Sequence, residues 1–166
     1  MIKAVFFDLG DTLVVEETVE DEHSYGMELQ KIPFVDQVLH ELKKRYKLGI
    51  ITNTVTFREE HVRIALKNVG IERYFDVIVT SVDVGFEKPD KRIFLKALRK
   101  LGVEASEAVM VGNRISKDIL GVNNIGMTSI LYKWNERYPD KITSNQEKPD
   151  HTITSLREIL PILSKI

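Results

Sequence analysis

The stretch AVFFDLGDTL, residues 4–13, decides how the rest of the chain is interpreted. Four apolar residues come directly before Asp8, and a short run that is apolar throughout is typical of a β-strand buried on both faces. The polar residues from Asp8 to Thr12 then follow the carboxyl end of that strand. Because open parallel sheets bind ligands at this end, we expect a functional site there.

Further short apolar runs along the chain end in the same way, in polar or small residues. They cover residues 48–51, 76–80, 108–112 and 128–132, and a closing strand is predicted at 152–153. Each run is short enough to be a strand and too short to be a helix on its own.

Helical patterns alternate with these strands. Apolar residues recur three and four positions apart over residues 34–46, 62–69, 93–101 and 156–163. Gly70 and Gly102 follow two of these stripes, where a helix C-terminus favours a left-handed residue, and Asp90 or Pro89 precedes the third stripe. The alternation predicts a doubly wound α/β fold, a Rossmann-like parallel sheet with helices on both faces.

The length of 166 residues suits one compact domain, and we predict a single core domain over residues 1–166. A short insertion interrupts it at about 14–32, where five acidic residues fall within 16–22 without clear periodicity. Residues 133–150 are predicted to form a long loop. Within that loop, residues 133–138 are either a contact surface or a segment that Trp134 anchors on the core.

Composition excludes several function classes. The 24 Lys and Arg residues balance 25 Asp and Glu residues, so the net charge of -1 gives no signal for nucleic acid or an anionic membrane. The absence of Cys excludes disulfides, thiolate metal sites and a Cys nucleophile. The N-terminal apolar run is too short for a signal peptide or a membrane span, so we expect a cytoplasmic protein. The oligomeric state is not indicated.

The polar residues that follow the predicted strands form the candidate site. Taken singly, each has an ordinary explanation, such as a helix cap or a solvated charge. Together, a carboxylate, a hydroxyl group and a lysine on one rim suit phosphoryl transfer, which needs a nucleophile, a cation and neutral donors. The set comprises Asp8, Gly10, Asp11, Thr12, Thr52, Asn53, Lys88, Asn113 and Asp118.

At these residues the chain resembles the haloacid dehalogenase-like (HAD) hydrolase superfamily. Four motifs appear in the family's order, at residues 7–13, 51–53, 88–89 and 111–118. The resemblance implies that Asp8 is a nucleophile forming a covalent aspartyl-phosphate. It also implies that the transferred group is held by Thr52, Asn53 and Lys88, and that Mg²⁺ is bound by Asp8, Gly10, Asn113 and Asp118.

Two departures from the family pattern affect these expectations. Gly10 stands where the family's phosphatases usually carry an acid/base Asp, and loss of general acid catalysis costs about 10²–10⁴-fold unless Asp11 substitutes. Asn113 stands where an Asp usually binds Mg²⁺, so the shell of the cation loses one negative charge. We therefore expect weak Mg²⁺ binding and slow hydrolysis of esters with poor leaving groups.

The function expected from the sequence is Mg²⁺-dependent hydrolysis of a phosphate monoester, on a small-molecule or macromolecular substrate. Gly10 and Asn113 leave a second function as an alternative, namely a regulatory module that binds phosphate or a phosphorylated partner with little turnover. A 2-haloacid dehalogenase is a further alternative. It is disfavoured because fewer than forty residues separate Thr12 from Thr52, which suggests a minimal cap rather than a large helical one.

Overall fold

A computed structural model describes residues 1–16, 29–138 and 141–166 of the chain. The strands are β1 (Ala4–Phe7), β2 (Lys47–Thr52), β3 (Val77–Thr80), β4 (Ala108–Gly112), β5 (Thr128–Tyr132) and β6 (His151–Ile153). Within the described residues they form one parallel sheet in the order β3-β2-β1-β4-β5-β6. The predicted α/β fold is confirmed.

Helices connect these strands. They are α1 (Val35–Lys43), α2 (Glu59–Asn68), α3 (Ser81–Val84), α4 (Lys91–Leu101), α5 (Leu120–Asn123) and α6 (Ile159–Leu163). A π-helix over Ile115–Ile119 leads directly into α5, and the last predicted helix begins as a 3-10 turn at Leu156–Glu158. Asp90 caps α4 through a hydrogen bond from the backbone N–H of Arg92, as the sequence suggests.

The two faces of the sheet are both buried. Val5 and Phe7 of β1 pack into an apolar cluster with α1, α2 and α6. Ala4 and Phe6, which alternate with them, pack into a second cluster with α4 and α5. Burial on both faces explains why β1 is apolar throughout rather than alternating.

The strand order brings three chain segments to one place. β1 lies between β2 and β4, where the direction of the strand order reverses, and such a switch point is where doubly wound folds bind ligands. Phe7 is in register with Ile50 of β2 and Val111 of β4. The residues that follow these strands therefore meet at one rim.

The predicted insertion at 14–32 lies only partly within the described residues, because residues 17–28 are outside them. At its two ends, Val14 forms isolated bridges with Gly10 and Lys31. In the part of the chain that the structure describes, no helix is both long and apolar enough to span a membrane.

Candidate active site

A cleft of about 460 Å³ lies at the carboxyl ends of β1, β2 and β4. It brings together most of the candidate residues, namely Asp8, Gly10, Thr52, Asn53, Lys88 and Asp118. The other three candidates, Asp11, Thr12 and Asn113, are buried as well, but they do not line this cleft.

Lys88 links three segments of the chain. Its Nζ donates hydrogen bonds to Asp8 Oδ1 at 2.8 Å, to Asp118 Oδ1 at 2.6 Å and to the carbonyl oxygen of Ile51 at 2.9 Å. Its side chain is 3% exposed. Since an ammonium group has three N–H donors, all of them are used within the protein.

The ionisation of this group follows from burial and from the neighbouring charges. Burial raises the pKa of Asp8 to about 6, with Lys88 lowering it and Asp118 raising it. Burial alone would lower the pKa of Lys88, but Asp118 and Asp8 together hold that pKa above its ordinary value. At neutral pH the site therefore contains a charged lysine and an ionised Asp8.

Asp118 is held from two sides. Beyond its bond to Lys88, its Oδ2 accepts the backbone N–H of Arg114 at 3.1 Å. Gly112, at the end of β4, allows this close approach, because a Cβ atom there would lie 2.4 Å from Asp118 Cγ. Each carboxylate oxygen thus accepts one hydrogen bond from the protein and keeps further acceptor capacity, and the metal-ligand role expected for Asp118 stays a prediction.

Thr52 and Asn53, at the end of β2, differ in their availability. The amide of Asn53 binds the backbone of Lys88, accepting its N–H at 2.8 Å and donating to its carbonyl oxygen at 3.2 Å. Among the described residues, Thr52 Oγ1 makes a single long hydrogen bond of 3.4 Å, to the carbonyl oxygen of Asn53. The Asn53 side chain therefore positions Lys88, and the Thr52 hydroxyl is the freer donor toward a ligand.

Asp11 turns away from the cleft. Its backbone has a positive φ of 54°, which Asp tolerates better than most residues. Its buried carboxylate accepts the backbone N–H of Glu16, Asn135 Nδ2 at 3.0 Å and Arg137 Nε at 2.9 Å. Asp11 thus holds the loop after β5 against the loop after β1, and the geometry does not favour it as the missing proton donor.

The segment 133–138 is anchored on the core, as one of the two interpretations of the sequence predicts. Trp134 is partly buried and packs against the apolar cluster that contains Val5 and Phe7. The ion pair between Arg137 and Asp11 fixes its other end.

Glu16 lines the cleft and was not identified from the sequence. A Cβ atom added to Gly10 would lie 3.1 Å from Glu16 Cγ, so Glu16 fills the space beside the glycine. Tyr138 Oη donates to its carboxylate at 2.8 Å, and Arg137 Nε lies 3.2 Å from it. In the sequence Glu16 is one of five acidic residues within 16–22, and Tyr138 and Arg137 lie more than 120 residues further on, so no local signal distinguishes it.

The oxygen atoms near the ends of β1 and β4 are the candidates for binding a metal ion. Across residues 1–16, 29–138 and 141–166, no three His, Cys, Asp or Glu side chains converge into a metal site. Asn113 Oδ1 is buried and has no hydrogen-bond partner among the described residues, so it is an unused oxygen at the end of β4. In the cleft, the Asp8 and Asp118 carboxylates and the Gly10 carbonyl are oxygen donors of the kind that Mg²⁺ prefers, whereas the Asn113 amide lies outside the cleft lining.

Comparisons with known proteins agree with this geometry. The family model "Haloacid dehalogenase-like hydrolase" matches residues 5–132. A glyceraldehyde 3-phosphate phosphatase of Methanothermobacter thermautotrophicus is 46% identical over 104 residues, which are 62% of this chain and 45% of the relative. The phosphatase of that name from Methanopyrus kandleri is 33% identical over 167 residues, covering 100% of this chain and 70% of the relative.

A solved structure of a HAD phosphatase from Thermococcus onnurineus superimposes with a TM-score of 0.76 at 28% identity, covering 98% of each chain. The chain spans between about half and 70% of the length of the two curated relatives. The family match over most of the chain, together with the site at the ends of β1, β2 and β4, shows that this protein belongs to the haloacid dehalogenase-like hydrolases.

Proposed function

We propose that this protein hydrolyses phosphate monoesters of small molecules through a covalent intermediate on Asp8. The observation that carries the proposal is the cleft carboxylate of Asp8, held 2.8 Å from the buried ammonium of Lys88. The names of the relatives, which are phosphatases, support the reaction class and favour it over a non-catalytic module or a dehalogenase. A cytoplasmic location stays a prediction.

In the first step a carboxylate oxygen of Asp8 attacks the phosphorus atom and the ester P–O bond breaks; because Gly10 supplies no acid, the leaving alkoxide takes its proton from solvent water. In the second step water attacks the same phosphorus atom, which releases inorganic phosphate and restores the carboxylate. Lys88 keeps Asp8 charged and oriented, and Thr52 donates a hydrogen bond to a phosphoryl oxygen. Because its three donors are committed, Lys88 acts through Asp8 rather than by holding the substrate directly.

Mg²⁺ would be held by the Asp8 carboxylate and the Gly10 carbonyl, which line the cleft, and it would neutralise charge on the phosphoryl oxygens. The Asn113 amide is buried outside the cleft lining and would have to turn toward the cleft to act as a further ligand. Asp118 contributes its negative charge nearby while it remains bonded to Lys88.

The test is hydrolysis of p-nitrophenyl phosphate with and without Mg²⁺. We expect Asp8→Asn to lose at least about a thousandfold in kcat, because the nucleophile is removed. Asp36→Asn is the matched control, since Asp36 is an exposed partner of Lys31 outside the cleft. Full activity of Asp8→Asn would show that the covalent mechanism is wrong.

A further inference from the structure

Positive charge in the cleft is not limited to Lys88. Two further cationic side chains, Arg114 and Lys117, line the cleft from the segment between β4 and α5. The Lys88 ammonium is fully engaged by Asp8, Asp118 and a backbone carbonyl. Among the described residues of the cleft, Arg114 and Lys117 are the cations whose charged groups make no hydrogen bond to a carboxylate.

Lys117 forms a long ion pair without a hydrogen bond. In the described part of the chain, the carboxylate within 4.0 Å of its Nζ is that of Glu87, at 3.8 Å, which is beyond hydrogen-bond distance. The Glu87 side chain is 70% exposed, whereas that of Lys117 is only 28% exposed. A largely covered ammonium group favours an anionic partner, because its own hydration is reduced.

Arg114 is held in place without being neutralised. Its guanidinium group lies 4.2 Å from the ring centroid of Tyr138, and the Tyr138 hydroxyl is in turn bonded to Glu16. Among the described residues, no carboxylate lies within 4.0 Å of this guanidinium group. Stacking on a ring leaves the edge N–H groups of an arginine available, and these suit a carboxylate or a phosphate.

The cleft has room for more than the phosphoryl group that reacts. Its volume of about 460 Å³ falls in the range of pockets that hold whole small ligands, about 300–1,000 Å³. Asp8 and Thr52 lie at the ends of β1 and β2, whereas Arg114 contacts Tyr138 and Lys117 faces Glu87. The two cations thus line the cleft from a different chain segment than Asp8 and Thr52, and in a cleft of this volume they can contact a part of the ligand other than the reacting phosphorus.

We infer that the substrate carries a second anionic group, a carboxylate or a second phosphate, which Arg114 and Lys117 bind while the reacting phosphoryl group lies at Asp8. This inference rests on the proposed phosphatase function and adds the substrate class. It makes Arg114 and Lys117 specificity residues rather than members of the reacting group.

The first measurement compares kcat/KM of the wild type for three probes of the same chain length. Glycerol 3-phosphate has an uncharged remainder, 3-phosphoglycerate has a carboxylate, and 1,3-propanediol bisphosphate has a second phosphate. We expect at least one of the two doubly anionic probes to be preferred by about tenfold or more, mainly through a lower KM. The better of the two identifies which anion the site takes.

The second measurement repeats the comparison in Lys117→Met and Arg114→Met. We expect each variant to reduce the preference by about tenfold, and Arg114→Lys to retain part of it. Lys96→Met and Arg45→Met make the same charge changes at exposed positions outside the cleft and should keep the wild-type preference.

A wild type that hydrolyses all three probes equally, or a preference that survives in both Met variants, would overturn the inference alone. A wild type that hydrolyses neither these probes nor p-nitrophenyl phosphate would instead overturn the proposed function and the inference with it.

Discussion

Lys88 supplies the positive charge between two buried carboxylates, those of Asp8 and Asp118. We predict that Lys88→Met lowers the free energy of unfolding by about 3–5 kcal/mol at pH 7, because both carboxylates lose their counter-charge. The loss should be smaller at pH 5. Burial raises the pKa of Asp8 to about 6 even beside Lys88, so at pH 5 this group is protonated and needs no cation.

Urea unfolding of the wild type and Lys88→Met at both pH values checks this prediction. Lys96→Met, an exposed lysine, should change stability little at either pH. An equal loss at pH 5 and pH 7 would contradict the coupling to Asp8.

Gly10 is the second residue whose substitution is informative. The sequence alone suggests that Gly10→Asp restores a proton donor and accelerates hydrolysis of an alkyl phosphate. In the structure the new side chain meets Glu16, because its Cβ would lie 3.1 Å from Glu16 Cγ. We therefore expect little gain from Gly10→Asp alone, since two carboxylates would share one space.

The double variant Gly10→Asp/Glu16→Ala removes this conflict. We predict that it hydrolyses glycerol 3-phosphate at least about tenfold faster than Glu16→Ala does, with a much smaller effect on p-nitrophenyl phosphate, whose leaving group needs no proton. Steady-state kinetics on the two esters, for the double variant and for Glu16→Ala, provide the measurement. Equal acceleration of both esters would argue against a missing acid at position 10.

The residues of the site were predictable to different degrees. Asp8, Lys88 and Asp118 could be grouped from the sequence because each follows a recognisable strand or precedes a helix, and they do meet in the cleft. Glu16 and Arg137 could not, since their contact joins two loops far apart in the chain. The commitment of the Asn53 amide to the Lys88 backbone was equally invisible, because an amide side chain does not reveal its partner.

At the scale of elements, the strands and long helices could be predicted because their apolar residues repeat with a clear period. The one-turn helix α3 and the π-helix at Ile115–Ile119 could not. α3 is too short for any period, and Thr80 Oγ1 caps it by accepting the backbone N–H of Asp83. The π-helix has a wider turn than the spacing used to find helices.

The junction between β4 and the π-helix provides a test at this scale. We predict that Gly112→Ala lowers the free energy of unfolding by about 1–3 kcal/mol, because the methyl group would overlap the Asp118 carboxylate. Hydrolysis should fall as well, since Asp118 holds Lys88. Thermal unfolding and p-nitrophenyl phosphate hydrolysis measure the two effects.

Ser116→Ala is the matched control, because Ser116 is exposed on the same π-helix. We expect it to leave stability and hydrolysis near the wild-type values. Unchanged stability and activity in Gly112→Ala would show that the close approach to Asp118 is not required.

For the whole molecule, the fold class could be predicted because alternating strands and helices allow few arrangements. The balance of 24 basic and 25 acidic residues could not reveal that the side chains of Arg114 and Lys117 line the cleft, because composition does not say where charges lie in the fold. The extent of the domain also stays a prediction. The curated relatives are longer than this chain, and residues 17–28 of the predicted insertion lie outside the described residues.

The three hydrogen bonds of the Lys88 ammonium have a consequence for the order of folding. They reach residues 80, 37 and 30 positions away along the chain, so they require β1, β2 and the π-helix to be brought together, and we expect them to form late in folding. Contacts that form after the transition state affect the unfolding rate rather than the folding rate. We predict that Lys88→Met unfolds faster and refolds at nearly the wild-type rate, as stopped-flow kinetics in urea would show; a matching slowdown of refolding would place Lys88 in the folding nucleus. A partly folded chain in which β1 and β2 have paired but Lys88 is not yet bonded would lack an oriented Asp8 carboxylate. We therefore expect hydrolytic activity to return only when the bonds of the Lys88 ammonium form.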